Sequence, residues 1–286
     1  MSDSAEHSDL ATLEAMYQLS SGPTPRQVWL PAARAVFAAA AIVALTTYLV
    51  LRPGDPKMDM LRGLPHDGLV AADAGAPQVG GSWVVTSGTL RMRAGQLWSG
   101  LPDDGPTDPP AGRTGSAVLR AVSTRRDFEN VGVDVTMRLD KLSTTRTTRS
   151  QVWDGVHIFL RYHDANNLYV VDLARRDGSL AIKRKTPGAG PTGRLGSAES
   201  ADLSSLHLYR TLATTAHPIG AAWHRYHIAI FNTGDGVTIT LAVDGNVLLR
   251  SVDNSPDALR GPGGIGIRGD NANFVTRTFK IQQHSS

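Results

Sequence analysis

A clear period-two run lies at 131–139, where Val131, Val133, Val135, Met137 and Leu139 alternate with Gly132, Asp134, Thr136 and Arg138. Successive side chains of a strand point to opposite faces, so this spacing predicts a strand with one face buried. Shorter apolar or β-branched runs bounded by turn residues predict further strands at 81–86, 89–93, 116–122, 155–162, 168–173, 180–185, 223–231, 237–243, 246–250, 264–268 and 274–281. Ser87-Gly88 and Asp244-Gly245 are read as hairpin turns, and 164–167 and Asp177-Gly178 as further turns. A Gly/Pro/Ser-rich insertion occupies about 186–205. No long helical period interrupts this succession, which predicts an all-β, two-sheet antiparallel β-sandwich of the jelly-roll kind.

The N-terminal part follows a different pattern. From Ala35 to Leu51 there is no charged residue, and Trp29, Leu30 and Pro31 extend the apolar stretch beyond Arg34. This predicts a single transmembrane α-helix at 31–51, with Trp29 and Tyr48 at its interfaces. A buried core helix would carry more of a polar stripe than Thr46 and Thr47. A cleaved signal peptide would carry a basic n-region, whereas the tail begins with acidic residues. The expected organisation is a cytoplasmic tail at 1–30, the helix at 31–51, a linker at 52–65 and an extracytoplasmic sandwich at 66–286. Flanking charge does not orient the helix, since Arg26 and Arg34 face Arg52, Lys57 and Arg62. Placement outside the cytoplasm rests on the ease with which long domains translocate and on analogy with extracellular sandwiches. Within the tail, Ser8 can cap a short helix carrying Leu10, Leu13, Met16 and Tyr17 on one face, which reads either as a docking site for a cytoplasmic partner or as a frayed segment near the membrane surface.

Composition narrows the chemistry. The 286 residues suffice for a large core, and 29 Gly and 16 Pro with few Glu favour strands and turns. A net charge of +3, with basic residues interleaved among Asp, argues against nucleic acid as a partner. Without cysteine there is no disulfide, thiolate nucleophile or Cys-ligated zinc.

The stretches GSWVVTSGTLRM, FENVGVDVTMRL, GVHIFLRYHDANNLYVVDL, AAWHRYHIAIF, VTITLAVDGNVLL and GGIGIRGDNANFVTRTFKI follow one another in an order that resembles the concanavalin A-like lectin/glucanase superfamily. Within it they look like the laminin-G-like and 3-keto-disaccharide hydrolase domains of bacterial envelopes. The resemblance covers about 66–282 and implies carbohydrate binding or glycoside hydrolysis. The acidic Glu-x-Asp-x-x-Glu strand of the superfamily's retaining glucanases is missing, and only Glu129 and Glu199 follow the apolar segment. Hydrolysis is therefore the alternative reading and no catalytic residue is assigned. The resemblance also raises calcium, but the last strand reads Val275-Thr276-Arg277-Thr278 where many relatives have an Asp. Asp164, Asn166 and Asn167 have the right oxygen ligands yet also suit a turn, so no cofactor is expected. His224 and His227, three apart on a strand, face opposite ways and do not form a metal pair.

The leading expectation is a membrane-anchored, non-catalytic envelope protein that binds a polysaccharide or an envelope protein. If Val156, Ile158 and Leu160 face the core, His157, Phe159 and Arg161 face outward. With Asp172, Lys183 and Lys185 they make a candidate surface for stacking on sugar rings and bonding their hydroxyl or acidic groups. A third reading is a structural or signalling subunit acting through its tail.

Overall fold

The computed structural model describes residues 57–73, 75–104, 113–186 and 209–284. The expected tail, transmembrane helix and most of the 186–205 insertion lie outside these residues. Among the described residues no helix is long and apolar enough to cross a membrane.

These residues form two antiparallel sheets. The first orders Asn246–Asp253 (β15), Gly236–Val243 (β14), His224–Thr233 (β13), Val131–Leu142 (β8), Ala272–Gln283 (β17), Gln96–Trp98 (β6), Thr89–Arg93 (β5) and Gly68–Ala72 (β2), with Met58–Asp59 (β1) also paired to β17. The second orders Tyr209–Ala216 (β12), Ser179–Lys185 (β11), Asn167–Arg175 (β10), Gly155–Asp164 (β9), Gly264–Asp270 (β16), Val118–Ser123 (β7), Trp83–Ser87 (β4) and Gln78–Gly80 (β3).

Alternation builds the core. Val131, Val133, Val135 and Met137 of β8 are buried against Val156, Ile158 and Leu160 of β9 and their neighbours, in one apolar cluster between the sheets. Ile265 and Ile267 of β16 join it. The expected Asp244-Gly245 hairpin joins β14 to β15, with φ of +50° and +87° at the two turn residues, the left-handed pair that matches strand twist.

Two expectations need correction. Trp83–Ser87 and Thr89–Arg93 do not form a hairpin: β4 pairs with β3 and β7, while β5 pairs with β2 and β6 of the other sheet. Gly88, at φ +68°, turns the chain from one layer to the other. A turn dipeptide reports a reversal and does not say which strands pair. The stretch 52–65 is also not all linker, because Met58 and Asp59 pair with Ile281 and Lys280. Met60 is fully buried, and its carbonyl accepts the Trp83 indole N–H at 3.1 Å.

The sheets are tied at one edge by polar contacts. Tyr169 of β10 donates to the buried Asp253 of β15 at 2.7 Å, and Arg210 of β12 reaches the other oxygen of the same carboxylate at 2.6 Å.

Candidate functional site

The outer face of the second sheet carries a cavity of about 470 Å³, within the usual size for a small-molecule site. It forms because β16, β9, β10, β11 and β12 lie side by side, so one residue from each falls on a common row. Arg268 lies opposite His157, and His157 opposite Asp172. One row further, Gly266 lies opposite Phe159, Phe159 opposite Val170, Val170 opposite Lys183, and Lys183 opposite Thr211.

The second row is the apolar half. Val122, Phe159, Tyr162, Leu168 and Val170 form a small cluster separate from the main core, with Tyr209 packed against it. The rings of Phe159 and Tyr162 stack at 5.8 Å. Phe159 can lie flat because β16 has a glycine beneath it: a Cβ at Gly266 would come 3.1 Å from the ring and 2.8 Å from the Ala121 carbonyl. Val152 and Trp153, from the loop before β9, complete the apolar lining. That loop is held by the buried Asp154, which accepts from Gln151 N–H at 3.0 Å, Asn271 Nδ2 at 3.1 Å and Arg176 Nη2 at 3.1 Å.

The first row is the charged half. Asp172 Oδ1 is 2.7 Å from His157 Nδ1, and its Oδ2 accepts from Arg175 Nη1 at 3.0 Å and lies 2.8 Å from Lys183 Nζ. The other imidazole nitrogen is 3.1 Å from Asp270 Oδ2, and Arg268 Nε donates to Asp270 Oδ1 at 2.9 Å. Burial alone would raise the pKa of Asp172, but the charges of His157 and Lys183 outweigh it and hold the carboxyl far below its ordinary range. Asp270 is lowered likewise, burial being overcome by Arg268 and His157. Burial would lower the His157 pKa, yet Asp172 and Asp270 raise it, which favours an imidazolium between two carboxylates.

Of the six residues expected to form a binding surface, His157, Phe159, Asp172 and Lys183 line this cavity. Lys185 lies beside it on the same face, its ammonium 5.0 Å from the Tyr209 ring. Arg161 does not belong there. At φ +47° it adopts a left-handed conformation at a bulge in β9, where the pairing with β16 and β10 slips. The extra residue sends its side chain through the sheet to the inside, where it is 0% exposed. Its guanidinium donates to Asn232 Oδ1 at 2.8 Å, to the Glu129 carbonyl at 3.1 Å and to the Leu259 carbonyl.

Arg175, Arg268, Asp270, Trp153 and Tyr209 complete the lining without having been singled out from sequence. Tyr209 falls on an edge strand whose sequence, YRTLATTA, carries no clean alternation. Among the calcium candidates, Asp164 Oδ1 accepts the Asn166 N–H at 2.7 Å within the β9–β10 turn, and Asn167 Oδ1 accepts from Arg184 of β11 at 3.0 Å. His224 and His227 reach different partners, Asp244 at 2.8 Å and Asp134 at 2.7 Å.

No family model matches the chain, and no curated protein does. Solved structures do match in fold. The chain is similar to the carbohydrate binding module CBM66 from Bacillus subtilis, at 12% identity over 71% of this chain and 96% of that one, with a TM-score of 0.44. It is similar to an endo-1,3-beta-glucanase from Streptomyces sioyaensis, at 12% identity over 82% and 96% with a TM-score of 0.47. It is also similar to the lectin UEA-II complexed with galactose, at 9% identity over 81% and 100% with a TM-score of 0.45.

Proposed function

We propose that this protein binds a glycan in the cavity on the outer face of the second sheet and does not cleave it. The observation that carries this reading is the pairing of a part-exposed aromatic lining, Trp153 and Tyr209 over the buried Phe159, with a fixed set of ionic groups beside it. Aromatic faces accept the C–H side of a sugar ring, and charged groups in fixed positions bond its hydroxyls.

Hydrolysis is the weaker reading for an electrostatic reason. A glycosidase needs one carboxylic acid with a raised pKa to protonate the leaving oxygen. Both lining carboxyls, Asp172 and Asp270, are instead lowered by adjacent cations. Asp154 is raised by burial, but it faces Arg176 and Asn271 and is not part of the lining. The apolar run at 35–51 supports an anchored protein, and the analogy with extracellular sandwiches supports a domain outside the cytoplasm.

A polysaccharide panel presented to the full-length chain, with Trp153→Ala and Tyr209→Ala beside it, tests the proposal. Binding to at least one polysaccharide, weakened in both variants, is the expected result. Unchanged binding in both would remove this cavity from consideration, and new reducing ends in the bound polysaccharide would show cleavage.

A further inference from the structure

We propose that the glycan recognised here is an acidic one, its carboxylate or sulfate groups held by Lys183, Arg175 and Arg268 while its rings rest on Trp153 and Tyr209. This rests on the glycan-binding reading above and specifies the ligand class.

The first ground is the lining itself, which holds Arg175, Lys183, Arg268 and His157 against two carboxylates, Asp172 and Asp270. A single carboxylate, Asp172, is shared by three of those groups, His157, Arg175 and Lys183. The lining therefore holds more cationic than anionic side chains, with Arg175 also paired to Asp177 outside it.

The second ground is depth. The side chains of Lys183, Arg175 and Arg268 retain 16%, 11% and 12% exposure, whereas Asp172 and Asp270 retain 1% and 8%. Asp172 sits at the floor as a counter-ion that fixes Lys183 and Arg175 in place, and these two cations stand nearer the solvent. An entering ligand therefore meets donors first. A neutral sugar would gain from carboxylates that accept its hydroxyls, but these oxygens are turned to the protein. In a cleft with low-dielectric walls, such an arrangement attracts anions.

The third ground is Tyr209. Lys183 and Lys185, on the neighbouring strand, approach its ring at 6.0 Å and 5.0 Å, so the aromatic edge of the cavity is itself flanked by ammonium groups.

The test compares binding of the full-length chain to polygalacturonate and to its methyl ester, and to dextran sulfate and dextran. Each pair shares a backbone and differs in charge, and the two pairs separate carboxylate from sulfate recognition. We expect at least one acidic polymer to bind about ten-fold or more tightly than its neutral counterpart, the scale of a charge-assisted hydrogen bond. Lys183→Gln should lower that affinity about ten-fold, the scale of one such bond, and Lys183→Arg should retain it. Arg250→Gln, an exposed cation on the other sheet, should leave binding unchanged.

Equal or tighter binding of the neutral polymers would overturn the acidic-ligand proposal and leave the glycan-binding reading standing. An equal loss in Arg250→Gln and Lys183→Gln would also overturn it, as unspecific attraction. Binding to none of the four polymers nor to any of the wider panel would remove both.

Discussion

Phe159 and Arg161 are two residues apart on one strand, yet they face opposite sides of the same sheet. Phe159 packs in the outer apolar cluster, while Arg161 bonds to Asn232 and to backbone carbonyls on the inside. The left-handed turn of the backbone at Arg161, φ +47°, accounts for the difference, and it separates the effects of substituting the two residues.

Arg161→Ala should therefore act on stability. It removes several buried hydrogen bonds and leaves carbonyls without donors, at a cost of about 3 kcal/mol. Glycan affinity of the folded fraction should stay within about two-fold, since one lost contact is worth about ten-fold. Denaturant unfolding beside a binding titration separates the effects; a stable variant with weakened binding would contradict the assignment of Arg161 to the interior.

Gly266→Ala tests the support under the aromatic floor. The added methyl would stand 2.8 Å from the Ala121 carbonyl and 3.1 Å from the Phe159 ring. Overpacking of this kind costs about 1–3 kcal/mol, and the displaced ring should weaken glycan binding as well. Thermal unfolding at wild-type temperature would show that the strands separate freely.

Asp172→Asn removes the counter-ion shared by three positive groups. Breaking a buried ion pair from one side costs about 3–5 kcal/mol because it strands the partner charges. The measurement is the urea midpoint, and a loss below about 1 kcal/mol would mean water already screens this cluster.

Two of the groups that shape the pH dependence of stability act with opposite sign. His157 is raised above its ordinary 6.5, its burial being outweighed by Asp172 and Asp270. Its contribution is complete below that unfolded value and is lost as pH rises through the folded one. Asp134 is lowered from 3.8 to about 2, its burial being outweighed by His227 and Lys57. Its contribution is complete above the unfolded value and is lost as pH falls towards about 2. Unfolding midpoints should form a plateau between about pH 4 and about pH 6.5, with His157→Gln flattening the alkaline fall and Asp134→Asn the acid one. Wild-type stability rising steadily from about pH 6.5 to about pH 8 would refute the role of His157.

Much of the sandwich was legible because its strands carry their own period. In 131–139 the alternate valines became the core face, and in 264–268 the Gly-Ile-Gly-Ile spelling gives two buried isoleucines with small residues outside them. His157, Phe159, Asp172 and Lys183 could be assigned to one face by the same parity. Parity fails where a bulge adds a residue, which is why Arg161 was misplaced. Asp270, Arg268 and Arg175 were missed for another reason: the row joining β16, β9 and β10 depends on sheet order, and order between strands remote in sequence leaves no local period. Met58–Asp59 was lost among Pro, Gly and Asp residues because a two-residue strand is too short to show alternation.

The passage through Gly88 has a mechanical consequence. The passage is one of several, since β7 to β8, β8 to β9 and β16 to β17 also cross between the layers. Since consecutive strands belong to different layers, and Asp253 is gripped by Tyr169 and Arg210 from across the gap, neither layer can open without dragging the other. Both sheets should therefore lose hydrogen-exchange protection together, in one cooperative event.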